Sequence, residues 1–181
     1  RVVNVDKFVL KMMRAAGCET IGFGIESGLN STLRLIKKGI TFEEQKEAIK
    51  LTQSVGINSL ANMIIGLPME TYDLMKESFK KLLSLNTSIL QLNILIPYPG
   101  SELFEWVKNN KYGLYFKSTN WENFISHLNY ALKNNAIKNL DLKKIQIRFY
   151  IWYFIRKFPK SLLFFTIHDS PKSIIMFFVK S

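Results

Sequence analysis

An α/β fold with parallel strands, followed by a helical extension, is what this sequence predicts, and three observations carry the prediction. Short apolar runs of β-type residues recur roughly every 35 positions over the first 110 residues. Stretches with helical periodicity fill the intervals, and βα units of that kind build parallel sheets. Beyond residue 110 the strand-like runs stop, and aromatic, basic, helix-like segments take over. Short, right-handed connections leave two common architectures for the first part, a doubly wound open sheet or a barrel.

The elements follow in order. Val2-Val3-Asn4-Val5 reads as the end of a strand. Asp6 can cap a helix whose apolar positions Phe8, Val9, Met12, Met13 and Ala16 share one face, with Gly17 as its stop. Thr20–Ile25 is a second strand, small and apolar enough for burial on both faces. Leu29–Lys38 forms a short amphipathic helix closed by Gly39. Thr41, with Glu44 three residues on, makes a capping box for a longer helix ending at Gly56. Ile57–Ile65 is a third strand, Glu70–Leu85 a helix, Ser88–Ile96 a fourth strand and Ser101–Asn110 a further helix. In the extension, Trp121–Asn134 and Leu140–Phe158 read as helices, and the apolar runs Ser161–Ile167 and Ser173–Val179 follow. The expected division is therefore 1–110 and 111–181.

Composition narrows the function. With 48% apolar residues the 181-residue chain has ample material for a core, which excludes wholesale disorder. A single cysteine, Cys18, excludes a disulfide framework and any self-contained thiolate metal site, and it reads as a packed small residue. Of the net charge of +11, residues 1–137 carry +4 and residues 138–181 carry +7. The chain starts at Arg1 inside an apolar run, which reads as a piece of a longer polypeptide.

Three of the strands end in clusters of polar, glycine and proline residues. They are Gly24-Ile25-Glu26-Ser27-Gly28, Gly66-Leu67-Pro68-Met69-Glu70-Thr71 and Pro97-Tyr98-Pro99-Gly100-Ser101. Parallel sheets bind ligands at the C-terminal ends of their strands, so the clusters mark one rim. Each taken singly also fits an ordinary tight turn, and Glu70 could serve only a helix N-terminus through its dipole. Asn62 and Asn93 are polar positions inside strand-like runs. No catalytic pair with His127 or His168 is visible.

In order and in register, "VDKFVLKMMRAAGCETIGFGIESG", "IKKGITFEEQKEAIKLTQSVGI", "NMIIGLPMET" and "LNILIPYPGSELFE" resemble the second half of a radical S-adenosylmethionine (SAM) domain. The resemblance is to the branch with a cobalamin-binding domain, which includes anaerobic magnesium-protoporphyrin monomethyl ester cyclases and hopanoid C-2 methylases. It covers residues 1–110 strongly and the rest loosely. It implies the second half of a partial (β/α)6 TIM-like barrel of about four parallel strands, with the extension as its helical tail. It also implies SAM as cofactor. Gly24, Glu26 and Ser27 would then face its ribose hydroxyls or ammonium group, for which a carboxylate is well suited. Gly66, Leu67 and Pro68 would lie against the adenine, and Pro97 and Tyr98 would supply backbone groups and an apolar wall. Asn62 and Asn93 would contact cofactor or substrate.

The family's [4Fe–4S] cluster is bound by a C-x3-C-x2-C motif that this chain lacks. The cluster and cobalamin are therefore expected only in an N-terminal part outside it. Two readings stay open: part of a radical SAM enzyme acting on a hydrophobic substrate by methyl transfer or oxidative cyclisation, inert by itself, or a non-catalytic half-barrel whose aromatic, basic tail docks on a membrane surface or a partner protein. The tail's interleaved aromatic and basic residues suit a membrane surface through 145–180, core packing or, least, nucleic acid, which is not an expected partner. A cytoplasmic, peripheral location follows from this reading. No uncharged stretch approaches the roughly 18–20 residues of a membrane span.

Overall fold

A computed structural model describes residues 6–118, 132–137 and 140–157. Its elements are α1 (Lys7–Ala15), β1 (Thr20–Glu26), α2 (Asn30–Leu35), α3 (Phe42–Ser54), β2 (Asn58–Ile65), α4 (Tyr72–Leu83), β3 (Ile89–Ile94), α5 (Glu102–Lys108), β4 (Leu114–Phe116), β5 (Leu132–Asn134) and α6 (Leu142–Lys157). Strands β1, β2 and β3 form one sheet in that order, all parallel. The expected strand Val2–Val5, most of the helix 121–134 and the runs 161–167 and 173–179 lie outside the described residues.

Local sequence accounts for the helix ends. Asp6 Oδ1 accepts the N–H groups of Phe8 and Val9 at 2.8 and 3.1 Å, which caps α1. Thr41 and Glu44 form the full capping box of α3. Ser101 caps α5, accepting the Phe104 N–H while its hydroxyl donates to the Tyr98 carbonyl. Gly17 and Gly56 take φ values of +94° and +77°, the left-handed region that ends a helix at little cost to glycine, whereas α2 stops at Leu35 and is closed by Lys37 (φ +55°), not by Gly39 as the sequence suggests.

Alternation along the strands sorts the side chains. Ser59, Ala61, Met63 and Ile65 of β2, with Phe23 and Ile25 of β1 and Leu90, Leu92 and Ile94 of β3, are buried. So are Ile49 and Thr52 of α3 and Met75, Phe79 and Leu82 of α4, the apolar stripes of those helices. The opposite sheet face carries Gly22, Gly24, Leu60, Asn62, Ile64, Gln91 and Asn93, none of them fully buried.

Two expectations are corrected. The stretch after α5 is not wholly helical: β4 and β5 pair antiparallel, with Leu114 opposite Asn134 and Phe116 opposite Leu132. Residues 132–134 alternate buried, half-buried, buried, a period of two that serves a strand, and Leu132 joins Leu67, Leu95, Val107 and Leu114 in one apolar cluster. The helix expected from Glu70 starts later, at Tyr72, because Thr71 is its cap and accepts the Leu74 N–H. That releases Glu70 for another role.

The chain separates into two compact units, Arg1–Gln146 and Ile147–Ser181, with the boundary inside α6. In the second unit, Tyr150 and Phe154 stack with ring centres 6.4 Å apart, and the Lys157 ammonium lies over the Tyr153 ring. Ile147, Ile151 and Ile155, spaced four apart on one face, are all exposed. No helix among the described residues is long and apolar enough to cross a membrane.

Candidate functional site

The C-terminal ends of the three parallel strands bring all three sequence clusters to one rim. Leu95 N–H donates to the Ile65 carbonyl, so the segments leaving β2 and β3 stay adjacent beyond the sheet. At the end of β1, Glu26 takes a φ of +62°, and the pairing with β2 slips between Gly24 and Glu26. A residue with a Cβ is strained there, a state that persists only where its surroundings enforce it. The enforcement comes next in sequence. Ser27 and Gly28 are buried against α4, with the Gly28 N–H donating to Ser78 Oγ at 2.7 Å and the Ser27 and Ser78 hydroxyls 3.1 Å apart.

So turned, the Glu26 side chain lies back over Gly24. Its Oε1 accepts a hydrogen bond from Lys38 Nζ at 2.8 Å, and both side chains are mostly but not wholly buried. A Cβ at position 24 would sit 2.6 Å from that oxygen and 3.0 Å from the ammonium, so glycine leaves the room the pair occupies. Glu26 Oε2 makes no hydrogen bond among the described residues, and the ammonium keeps two further donors. Lys37 bends the other way, with a φ of +55°, and bonds both Glu102 oxygens at 2.6 and 2.7 Å. That exposed pair ties the end of α2 to the start of α5.

The second cluster is a closed turn. Glu70 Oε2 accepts the N–H groups of Gly66 and Leu67 at 2.9 and 3.0 Å, and the carboxyl is almost wholly buried. Its Oε1 has no hydrogen-bond partner among the described residues. Burial pushes the Glu70 carboxyl up to about 8, outweighing the two amide bonds that favour the charged form. The Leu67 carbonyl accepts from Asn134 Nδ2 at 3.1 Å and from the Glu70 N–H at 3.0 Å. At Gly66 (φ +83°) a Cβ would meet Leu142 Cδ1 at 2.9 Å, so the open side of that glycine is filled by a leucine. Gly66, Leu67 and Pro68 are buried.

In the third cluster Pro97 is buried and Tyr98 exposed. On the unburied sheet face, Gly24, Asn62 and Gln91 stand in one cross-strand row, and Gln91 Nε2 lies 3.4 Å from Asn93 Oδ1. Gly24, Glu26 and Asn62 thus share a rim and face, whereas Ser27 turns away to anchor the loop. Sequence reasoning passed over Lys38, Gln91 and Asn134. Lys38 is hidden as one of two lysines in a helix's last turn, a common dipole partner. Asn134 lies 67 residues from the carbonyl it binds, and no local pattern spans that distance.

Two cofactors can be tested against these residues. The carboxylate–ammonium pair, with an oxygen and two donors to spare, fits an amino-acid zwitterion such as that of SAM. A [4Fe–4S] cluster does not fit: Cys18, the only thiol, contacts the Thr20 carbonyl at 3.8 Å, and among the described residues no three metal-binding side chains converge.

Comparison with known proteins bears on the fold. Residues 2–82 match the model of the Radical SAM superfamily. The chain is 31% identical over 163 residues, 90% of its length and 34% of the relative's, to an uncharacterized methyltransferase of Pyrococcus horikoshii. It is 31% identical over 107 residues, 58% of its length and 19% of the relative's, to the anaerobic magnesium-protoporphyrin IX monomethyl ester cyclase of Rubrivivax gelatinosus. It therefore spans about a third or less of these relatives' lengths. Among solved structures it resembles the radical SAM methyltransferase TsrM of Kitasatospora setae, which holds cobalamin and a [4Fe–4S] cluster. The TM-score is 0.54 at 19% identity, over 70% of this chain and 26% of that one. Three parallel strands end on one rim, and residues 2–82, a little under half of the chain, match the radical SAM superfamily.

Proposed function

We propose that this chain is the SAM-binding rim of a radical SAM enzyme that acts on a hydrophobic substrate, by methyl transfer or oxidative cyclisation. The observation that carries the reading is the Glu26–Lys38 pair, held over Gly24 at the end of β1. Glu26 Oε2 would accept from the ammonium or ribose hydroxyls of SAM, and Lys38 would meet its carboxylate. Bound SAM supplies the radical or methyl chemistry; this chain's residues supply its orientation. Asn62, Gln91 and Asn93 line the adjoining face with amide groups that suit a polar handle on an otherwise apolar substrate. The cluster and cobalamin would be held by parts of the protein outside these residues, and this chain alone would not turn over.

Calorimetric titration of the purified chain with SAM tests the site. Glu26→Gln and Lys38→Met should each weaken binding by on the order of 1–3 kcal/mol, the usual loss for a charged hydrogen bond. Affinity unchanged in both variants would remove the pair from the site.

The second unit supports a further reading, contact with an anionic membrane surface. Ile147, Ile151 and Ile155 are exposed on one face, and α6 carries Arg148, Arg156 and Lys157 in this unit with no acidic residue. Anionic vesicles should bind the chain more tightly than neutral ones, with release by salt. Replacing Arg148 and Arg156 with Gln should cost about 2 kcal/mol between them. Equal, salt-independent binding to both vesicle types would sink this reading.

A further inference from the structure

We infer that Asn134 is a positioning residue for the rim: its side chain latches the Gly66–Leu67 turn from the C-terminal hairpin and so ties the binding rim to a segment far along the chain. The inference rests on the SAM-rim reading for its consequence, though not for its geometry.

The turn is held at both of its amide N–H groups and at the Leu67 carbonyl. Glu70 takes both amide protons, and the Leu67 carbonyl is shared between the Glu70 N–H and Asn134 Nδ2. The Glu70 bonds lie within five residues of sequence and would travel with the turn if it moved as a body. The Asn134 bond does not. It comes from β5, is buried, and is braced at its other end, where Asn134 Oδ1 accepts the Ala136 N–H at 2.9 Å. One amide therefore uses a donor on the Gly66–Leu67 turn and its acceptor on the helical turn that follows its own strand, which fixes its orientation.

Packing repeats the same connection. Leu67 sits in one apolar cluster with Leu114 of β4 and Leu132 of β5, and Leu142 covers Gly66. Ile36, two residues before Lys38, and Ile64, on the unburied sheet face, pack against that cluster. The hairpin thus reaches both ligand-facing parts of the rim. Any ligand that orders the turn must then also stabilise the hairpin, since coupling between sites is reciprocal.

Residue-level hydrogen exchange on the full chain tests the latch. In Asn134→Ala the Gly66 and Leu67 amides should exchange at least about tenfold faster, while those of Ala61 and Met63 inside β2 stay near wild type. Leu114→Ala disturbs the hairpin opposite position 134 but keeps the Asn134 amide, and should loosen the turn much less. Turn amides that exchange at the wild-type rate in Asn134→Ala overturn the latch. So does equal loosening by Leu114→Ala, which would credit hairpin packing instead. Adding SAM to wild type should slow exchange at Leu114 and Phe116, and Asn134→Ala should abolish that slowing. If wild type binds no SAM at all, the rim reading fails, and the latch is judged on the ligand-free exchange rates alone.

Discussion

Stability should fall as pH rises from about 4.5 to 8, and Glu70 should account for most of the slope. The unfolded chain ionises this carboxyl near 4.5, whereas the folded chain retains its proton up to about 8. Between those values the unfolded state binds fewer protons, so each step up in pH favours it. The contribution is fully present below pH 4.5 and lost by the time pH passes 8. A difference of that size corresponds to on the order of 3–5 kcal/mol. Glu43, Glu44, Glu47 and Glu102 run in the opposite sense, since hydrogen bonds lower each of them, and they act only below pH 4.5. Glu70→Gln supplies the control. Its carbonyl can accept the same two amide protons and its NH2 replaces the acid's O–H, so its urea midpoint should stay nearly flat between pH 5 and 8. Parallel slopes in the two proteins would show that Glu70 is ionised when folded.

Gly28→Ala should cost about 2–4 kcal/mol, a large loss for one added methyl group. The new Cβ would stand 2.6 Å from the Ser78 carbonyl oxygen and 2.9 Å from Lys81 Cβ. Neither can swing away, because the oxygen belongs to the backbone of α4 and the Cβ is fixed to it. Gly28 must back off, which stretches its 2.7 Å bond to Ser78 Oγ and frees the loop that holds Glu26 in its left-handed conformation. The urea midpoint should drop at constant slope, and SAM affinity measured under folding conditions should fall with it. A midpoint shift worth less than about 0.5 kcal/mol would mean that the loop and α4 are not tightly docked.

Much of the fold was legible because it is written locally. The Thr41–Glu44 box, the Asp6 cap and the period-two runs of β1 to β3 each lie within a few residues of sequence. The Gly-Ile-Glu-Ser and Gly-Leu-Pro motifs likewise marked the rim. What escaped was set by distant partners. Residues 132–134 read as the end of a helix because nothing nearby announces the strand at 114–116 that they pair with. Glu70 read as a helix-terminal acid, since local sequence cannot tell a solvated carboxylate from one folded back into a turn. Lys38 was hidden for the same reason, because its partner Glu26 lies beyond α2 and the loop that carries Lys38 turns left-handed on either side of it, at Lys37 and Gly39.

That loop sets a strict rule for redesign. Adjacent residues Lys37 and Lys38 send their ammonium groups to carboxylates on different elements, Glu102 at the start of α5 and Glu26 at the end of β1. Only the reversal at Lys37 keeps the two assignments apart. Trimming or adding one residue next to Lys37 would shift Lys38 out of the position from which it bonds Glu26. Loop length, more than the identity of either cation, is therefore the quantity a designer must leave untouched.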